Sequence, residues 1–121
     1  MADSGLYGLA RILKAITYSW KGLLAAWRHE AAFREEACAA LVLIPVALYF
    51  GEGGLEKAML ITSVVLVLMA EMINSAIEAC VDRYGSEHHE LAGRAKDIAS
   101  TAVAFALLLV PVVWILVLFV D

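Results

Sequence analysis

The fold of this chain is decided by residues 71–82, EMINSAIEACVD, which directly follow an apolar run from Ala58 to Ala70. Polar side chains stand at positions 71, 74, 78 and 82, spaced by three, four and four residues. At about 3.6 residues per turn, these positions fall on one narrow face of a helix. A helix that begins in the apolar run therefore carries a polar stripe while it is still inside a membrane or a buried core.

An ionised carboxylate at membrane depth costs about 2.5 to 3.5 kcal/mol on insertion scales. Glu71 and Glu78 are therefore expected where cations, water or a ligand meet them, and the stripe is the first candidate for a functional site. Two structural alternatives remain open. The two acids can pair with arginines as a clamp, and Asn74 or Ser75 can simply bridge neighbouring helices.

The composition indicates an integral membrane protein. Of the 121 residues, 63% are hydrophobic, and the mean hydropathy is +0.81. Both values are well above those of a soluble domain. A chain of this length accommodates only three or four helical spans and has little interior of its own. We therefore predict a single all-α membrane domain, residues 1–121, that forms a homo-oligomer.

Four helical segments follow from the apolar pattern. Residues 6–28 carry apolar side chains at helical spacing, interrupted by Lys14 and Lys21, which is typical of an amphipathic helix lying in the headgroup region. A soluble helix that binds a partner protein is the alternative. Membrane spans are expected at about 31–50, 55–81 and 98–120, the last without any charge. Residues 51–54, GEGG, lack the Gly-Lys-Ser/Thr ending of a phosphate-binding loop and are predicted to form a turn.

The basic residues are distributed asymmetrically. All nine lysines and arginines except Lys57 fall on the side of the membrane that holds the N-terminus and the hydrophilic loop from Asp82 to Asp97. By the positive-inside rule this side is cytoplasmic. The lower half of the polar stripe and Glu30 then face the compartment that contains ATP.

The residue types that meet at this interface suit phosphoryl transfer. Carboxylates and an amide are hard ligands for Mg²⁺, which favours one or two carboxylates plus phosphate oxygens, and basic side chains hold polyphosphate. Glu71, the deepest acid, is the candidate general base toward an alcohol, with Asn74 beside it. Glu78, about 10 Å further along the helix, suits a metal ligand at the nucleotide. The other members of the set are Glu30, Arg11, Arg94, Lys96 and Asp97.

A reading from another class is a proton-coupled transporter or an ion pathway built on the buried acids. The basic residues and the acids gather on one side, whereas a permeation path needs polar groups across the full thickness. This distribution argues against transport. Without further information, His88 and His89 are expected to be solvated, and Trp114 is expected to be an interfacial anchor.

The stretch EMINSAIEACVD closely resembles the signature of the prokaryotic diacylglycerol kinase family, the small trimeric membrane lipid kinases. Collinear similarity covers nearly the whole chain, including residues 15–27, 30–34, 85–91 and 93–97. The resemblance implies a homotrimer of the inner (cytoplasmic) membrane, with three spans and an N-terminal surface helix. It also implies ATP-dependent phosphorylation of diacylglycerol to phosphatidic acid, with Mg²⁺ and without a nucleic-acid partner.

The resemblance also implies residue roles. Glu71 resembles the proton acceptor, and Glu30 and Glu78 resemble the metal ligands. The residues that resemble nucleotide contacts are Arg11, Tyr18, Glu30, Glu78, Glu87, His88, His89, Lys96 and Asp97. Those that resemble the lipid-binding surface are Ala32, Phe33, Arg34, Glu35, Glu36, Glu71, Ser100 and Trp114.

Some members of the same family prefer undecaprenol, an isoprenoid alcohol, and share these carboxylates. The N-terminal helix with Trp20 and Trp27 resembles the diacylglycerol branch more closely. Undecaprenol kinase activity remains the alternative within this fold.

Overall fold

The structure, a computed structural model, describes residues 5–84 and 89–121, with side chains from residue 7 onward. The described residues form four helices: α1 (Gly5–His29), α2 (Ala31–Phe50), α3 (Gly53–Asp82) and α4 (Glu90–Phe119). The described ranges contain no strand. The all-α class predicted from the sequence is therefore confirmed.

Helix α3 organises the packing, because it contacts both α4 and α2, whereas α1 packs mainly against α2. The buried face of α3 runs from Leu60 through Val67 to Asn74. Glu71 lies on this same face. The polar stripe thus points toward the neighbouring helices, as the periodicity predicts.

A seven-residue repeat marks the seam between the helices. Phe33, Ala40 and Ala47 are the buried residues of α2, and Ala99 and Ala106 are those of α4. Leu60, Val67 and Asn74 repeat at the same interval on α3. A strict period of seven is typical of helices that wind around one another with a left-handed twist. Alanine at four of these eight positions, all on α2 and α4, lets the backbones approach closely, as in membrane helix pairs.

Helices α3 and α4 are each long and apolar enough to cross a membrane, by length and composition. The helix α2 has the bounds predicted for the first span, but its first turns carry Arg34, Glu35 and Glu36. These three charges set α2 apart from α3 and α4, so its role as a third span stays a prediction. The large apolar side chains described on α1, such as Ile12, are exposed.

The hydrophilic segment from Asp82 to Asp97 is not a loop throughout, and this part of the prediction is wrong. Helix α4 begins at Glu90, eight residues before the uncharged stretch that starts at Ile98. His89 caps the helix, because its Nδ1 accepts a hydrogen bond from the backbone N–H of Leu91 at 3.1 Å. The exposed pair of Glu90 and Arg94, four residues apart, supports the same turn.

The connection between α2 and α3 is as tight as the glycines predict. A side chain at Gly51 would meet the Ala47 carbonyl oxygen and Cγ of Lys57, both at 2.8 Å. Gly53 has a φ of +76°, a conformation that L side chains rarely adopt. The Glu56 carboxylate accepts the backbone N–H of Glu52 at 3.0 Å and closes the start of α3.

A polar contact joins α3 to α4 in the apolar half of the bundle. The indole Nε1–H of Trp114 donates to Oγ of Ser63 at 3.0 Å, and the Ser63 hydroxyl donates to the Leu60 carbonyl oxygen at 2.7 Å. Ser63 is buried within α3, and Trp114 is half-buried. Trp114 therefore holds two helices together rather than only anchoring the chain at an interface.

The hydrogen bond that Trp114→Phe removes should contribute a coupling energy of about 0.6 kcal/mol, and no more than about 1.7 kcal/mol, to the stability of the folded protein. Phenylalanine removes the donor and leaves the Ser63 hydroxyl bonded to Leu60, so no buried group loses its only partner. A double-mutant cycle with Ser63→Ala, followed by unfolding in mixed micelles, measures the coupling. Trp20→Phe on the exposed face of α1 is the matched control. A coupling energy of zero would contradict the contact.

Candidate functional site

The first half of the predicted polar stripe is buried among the helices, whereas Glu78 is half-buried and Asp82 is exposed. Glu71 is 6% exposed and Asn74 is 9% exposed, both on the face of α3 that meets the other helices. The Asn74 Nδ2 donates a hydrogen bond to Oε1 of Glu78 at 2.6 Å, one turn further along α3. This contact orients the Glu78 carboxylate. The described hydrogen bond of Asn74 stays within α3 and does not bridge to another helix.

Two further carboxylates approach Glu71 from the α1–α2 region. Glu30 is the single non-helical residue between α1 and α2, with φ −118° and ψ 103°, and it is the N-cap position of α2. Its charge and that of Glu78 both act on Glu71. Glu36, on the second turn of α2, lies within hydrogen-bonding reach of the Glu71 carboxyl. Four acids from α2, α3 and the break before α2 thus converge.

Several oxygens in this cluster lack a partner. Among the described residues, Oδ1 of Asn74, Oε2 of Glu36 and Oγ of Ser75 are buried without a hydrogen bond. Buried polar groups without partners are uncommon and call for a ligand, ion or water. The described ion pairs are Glu90–Arg94 and Asp82–Lys96, and neither includes Glu30, Glu71 or Glu78.

The donor set fits a hard divalent cation. Carboxylate and amide oxygens are the ligands that Mg²⁺ prefers, and the unpartnered Asn74 oxygen stands beside Glu78. In the described part of the chain no group of three or more histidines, cysteines or acids is arranged to hold a metal ion.

The basic side of the site is formed where α3 ends and α4 begins. Lys96 Nζ donates to Oδ1 of Asp82 at 2.9 Å, an exposed ion pair between the last residue of α3 and the second turn of α4. Lys96 also acts electrostatically on Glu78. The fold therefore places an ammonium group near the predicted metal ligand. The role of Asp82 as the partner of Lys96 was not predicted, although Asp82 ends the stripe and lies only 14 residues before Lys96 in the chain.

The remaining predicted nucleotide contacts are placed unevenly. His89 acts as the N-cap of α4, and Asp97 is exposed one turn before Thr101, whose hydroxyl donates to the Asp97 carbonyl oxygen at 2.8 Å. Tyr18 is 65% exposed on α1, and Arg11 lies on the same helix. The predictions for Glu87 and His88 fall outside the residues that the structure describes.

The predicted lipid-binding residues do not form one surface. Phe33 is buried and Glu36 faces Glu71, whereas the exposed members on α2 and α4 are Ala32, Glu35 and Ser100. Trp114 binds Ser63, which lies eight residues before Glu71 and thus about 12 Å away along α3. Trp114 is therefore remote from the acids along the helix axis.

The guanidinium of Arg34 binds the end of α1, a contact that was not predicted from the sequence. Its Nη1 donates to the carbonyl oxygens of Trp27 at 2.7 Å and Arg28 at 3.2 Å. The side chain thus reaches back across the break at Glu30 to the end of α1. The sequence predicts that one helix ends and the next begins near Glu30, four residues before Arg34. It does not predict the direction of the Arg34 side chain, because that direction depends on the backbone conformation of Glu30.

Comparison with known proteins identifies related chains. Residues 17–118 match the family model described as prokaryotic diacylglycerol kinase. The chain is 50% identical over 111 residues to the diacylglycerol kinase of Escherichia coli K12, covering 92% of this chain and 91% of that one. It is 46% identical over 107 residues to the diacylglycerol kinase of Haemophilus influenzae, covering 88% and 91%. It is 46% identical over 114 residues to that of Pseudomonas aeruginosa, covering 94% and 93%.

Proposed function

The chain belongs to the prokaryotic diacylglycerol kinase family and is a lipid kinase, and from this premise we propose that it transfers the γ-phosphoryl group of ATP to the free hydroxyl of diacylglycerol. The products are phosphatidic acid and ADP. The relatives named above carry the name diacylglycerol kinase, and their similarity extends over about nine tenths of both chains.

The structural observation that carries the proposal is that the charges of Glu30 and Glu78 act on the buried Glu71, while Glu78 accepts a hydrogen bond from Asn74 and interacts electrostatically with Lys96. Acids at the end of a membrane span can meet a lipid hydroxyl on the membrane side and a nucleotide on the aqueous side. Catalysis of phosphoryl transfer rests mainly on positioning and on neutralising charge. The cluster supplies both, because its acids come from different helices and a basic group stands at its rim.

In the proposed reaction Glu71 accepts the proton of the lipid hydroxyl as that oxygen attacks the γ-phosphorus. The bond between the γ-phosphorus and the bridging oxygen of ADP breaks, and the electron pair leaves with ADP. Glu71 suits this task because it is the acid most deeply placed in α3 and faces the other helices. Asn74 holds Glu78 in position through its side-chain amide.

Mg²⁺, when bound with ATP, neutralises the charge on the phosphate oxygens. Glu30 and Glu78 would hold it, with the free oxygen of Asn74 beside them. Lys96 would leave Asp82 or be shared with it when it engages a phosphate. The proposed nucleotide contacts are Arg11, Tyr18, His89 and Asp97, together with Glu87 and His88, which fall outside the described residues.

The assembly is proposed to be a homotrimer in the inner membrane, with α2 as the third span and α1 on the cytoplasmic surface. The exposed apolar side chains of α3 and α4 support burial against lipid or further copies. The exposed apolar face of α1 supports contact with the headgroup region. The positive-inside distribution of lysine and arginine supports a cytoplasmic active site.

Transfer of the γ-phosphate to diacylglycerol and to undecaprenol should be measured side by side, with purified protein in mixed micelles. We expect transfer to diacylglycerol that is lost when Mg²⁺ is chelated and recovered when it is restored. Preference for undecaprenol would keep the chemistry and change the proposed substrate. If a folded oligomer showed no Mg²⁺-dependent transfer to either lipid, the result would contradict the kinase function. It would favour the alternative that the buried acids serve proton-coupled transport.

A further inference from the structure

The break between α1 and α2 is a single residue, and it leaves two backbone carbonyls of α1 without their usual partners. In a continuous helix the carbonyls of Trp27 and Arg28 would accept from the N–H groups four residues further along. The extended backbone of Glu30 interrupts that pattern. The Arg34 Nη1 group donates to both carbonyl oxygens instead, to that of Trp27 at 2.7 Å and to that of Arg28 at 3.2 Å.

The contact is favourable electrostatically as well as geometrically. The C-terminus of a helix carries a partial negative charge, and a cation in the last turn stabilises it. The Nη1 group of Arg34 carries two N–H donors and serves both carbonyls at once, from the end of a side chain that reaches further than that of lysine. The backbone also contributes, since the N–H of Glu30 donates to the Ala26 carbonyl oxygen at 2.9 Å and the N–H of Arg34 donates to the Glu30 carbonyl oxygen at 3.2 Å.

Apolar packing accompanies this polar contact. Ala26 on α1 and Phe33 on α2, one on each side of the break, are both buried. Their burial contrasts with the exposed residues that make up most of α1. The α1–α2 elbow, residues 26–34, is therefore held in place by both polar and apolar contacts and is not a flexible hinge.

The elbow matters for the site because Glu30 is its central residue. Glu30 lies close enough to Glu71 for its charge to act on that carboxyl group. Its backbone is extended and belongs to neither helix, so the hydrogen bonds of a helix do not hold it in place. The direction of the Glu30 carboxylate depends on how the ends of α1 and α2 are held together.

We propose that Arg34 is a positioning residue for the phosphoryl-transfer site, whose bonds to the end of α1 fix the elbow and so present Glu30 to the divalent cation. The proposal rests on the proposed function only in its choice of Glu30 as a metal ligand. It replaces a direct role for Arg34 in binding the lipid, because both of its described hydrogen bonds go to the backbone of α1.

The test uses the full chain in micelles and compares Arg34→Gln and Arg34→Lys with Arg28→Gln. Arg28 lies at the same end of α1, but its side chain makes none of the described hydrogen bonds to the elbow. Binding of Mn²⁺ in the presence of ATP is followed by electron paramagnetic resonance, with Mn²⁺ as the probe for the divalent site. A second readout is the distance between spin labels attached at residues 20 and 41, on opposite sides of the elbow.

For Arg34→Gln we expect Mn²⁺ affinity to fall about tenfold or more, as outer-shell partners of metals typically do, and the label distances to broaden. Arg34→Lys should lie between Arg34→Gln and the unchanged protein, because lysine keeps the charge but has a shorter side chain. Arg28→Gln should leave both readouts unchanged. If Arg34→Gln does not fold, Arg34→Lys decides the matter.

Two results would overturn the inference. One is unchanged Mn²⁺ affinity and unchanged label distances in the Arg34 variants. The other is a rise in KM for diacylglycerol alone, which would return Arg34 to the lipid-binding surface. Failure of the unchanged protein to bind Mn²⁺ with ATP is a different outcome, because it would contradict the proposed function while the label distances still tested the elbow.

Discussion

Replacing Glu71 by glutamine is expected to lower kcat for diacylglycerol phosphorylation by about 100-fold to 10,000-fold, the usual contribution of a general base. The amide keeps the shape of the carboxyl group but does not accept the proton of the attacking hydroxyl. It still fits beside Glu36, with which Glu71 is within hydrogen-bonding reach. The fold and the binding of MgATP should therefore change little. The measurements are kcat in mixed micelles and the affinity for a fluorescent ATP analogue.

The control for this variant is Glu52→Gln, which removes one acid from the tight connection between α2 and α3. Glu52 is exposed at the opposite end of α3 from the acidic cluster. Its loss should leave both kcat and nucleotide affinity unchanged. If Glu71→Gln turned over at the rate of the control, Glu71 would not be the base, and Glu36 would become the next acid to test.

Replacing Glu78 by glutamine should weaken the binding of the divalent cation rather than impair proton transfer. The variant retains an oxygen that can accept the hydrogen bond from Asn74, which is 2.6 Å long in the structure. It loses the negative charge that a divalent cation requires. We expect the Mg²⁺ concentration for half-maximal activity to rise about tenfold or more, at least the effect of losing an outer-shell partner. The titration is made at saturating diacylglycerol and ATP.

The matched control is Glu90→Gln, since Glu90 is an exposed acid of α4 whose described partner is Arg94, outside the cluster. An unaltered Mg²⁺ requirement in Glu78→Gln, with the control also unaltered, would show that the metal assignment is wrong. A loss of kcat at saturating Mg²⁺ in both variants would instead indicate a general effect on folding. Thermal unfolding of the two variants separates these cases.

The burial of the polar stripe was predictable because it depends on one helix alone. Helical periodicity places Glu71 and Asn74 on one face, and the preceding apolar run places that face in the interior. The approach of Glu36 to Glu71 was not predictable in the same way. It depends on how α2 and α3 are rotated about their axes, and the pattern within either helix does not determine that rotation.

One error and one contact that was not predicted have different physical origins. The segment before Ile98 was predicted to be a loop because it is hydrophilic, yet hydrophilic sequences form helices when capped and paired. His89, Glu90 and Arg94 supply those signals, which the sequence contains. Trp114 was expected to be an interfacial anchor because tryptophan is common there, but its hydrogen bond to Ser63 requires a partner 51 residues away in the chain.

The seven-residue seam has a consequence for how the length of such chains can vary. Inserting or deleting one residue within a helix turns everything beyond it by about 100°. In α3 a single insertion between Val67 and Glu71 would leave the apolar seam in place and swing the acids out toward the lipid. Length changes among relatives should therefore be excluded from the three packed helices. They should collect before α1, at the end of α4 and in the segment that follows Arg83.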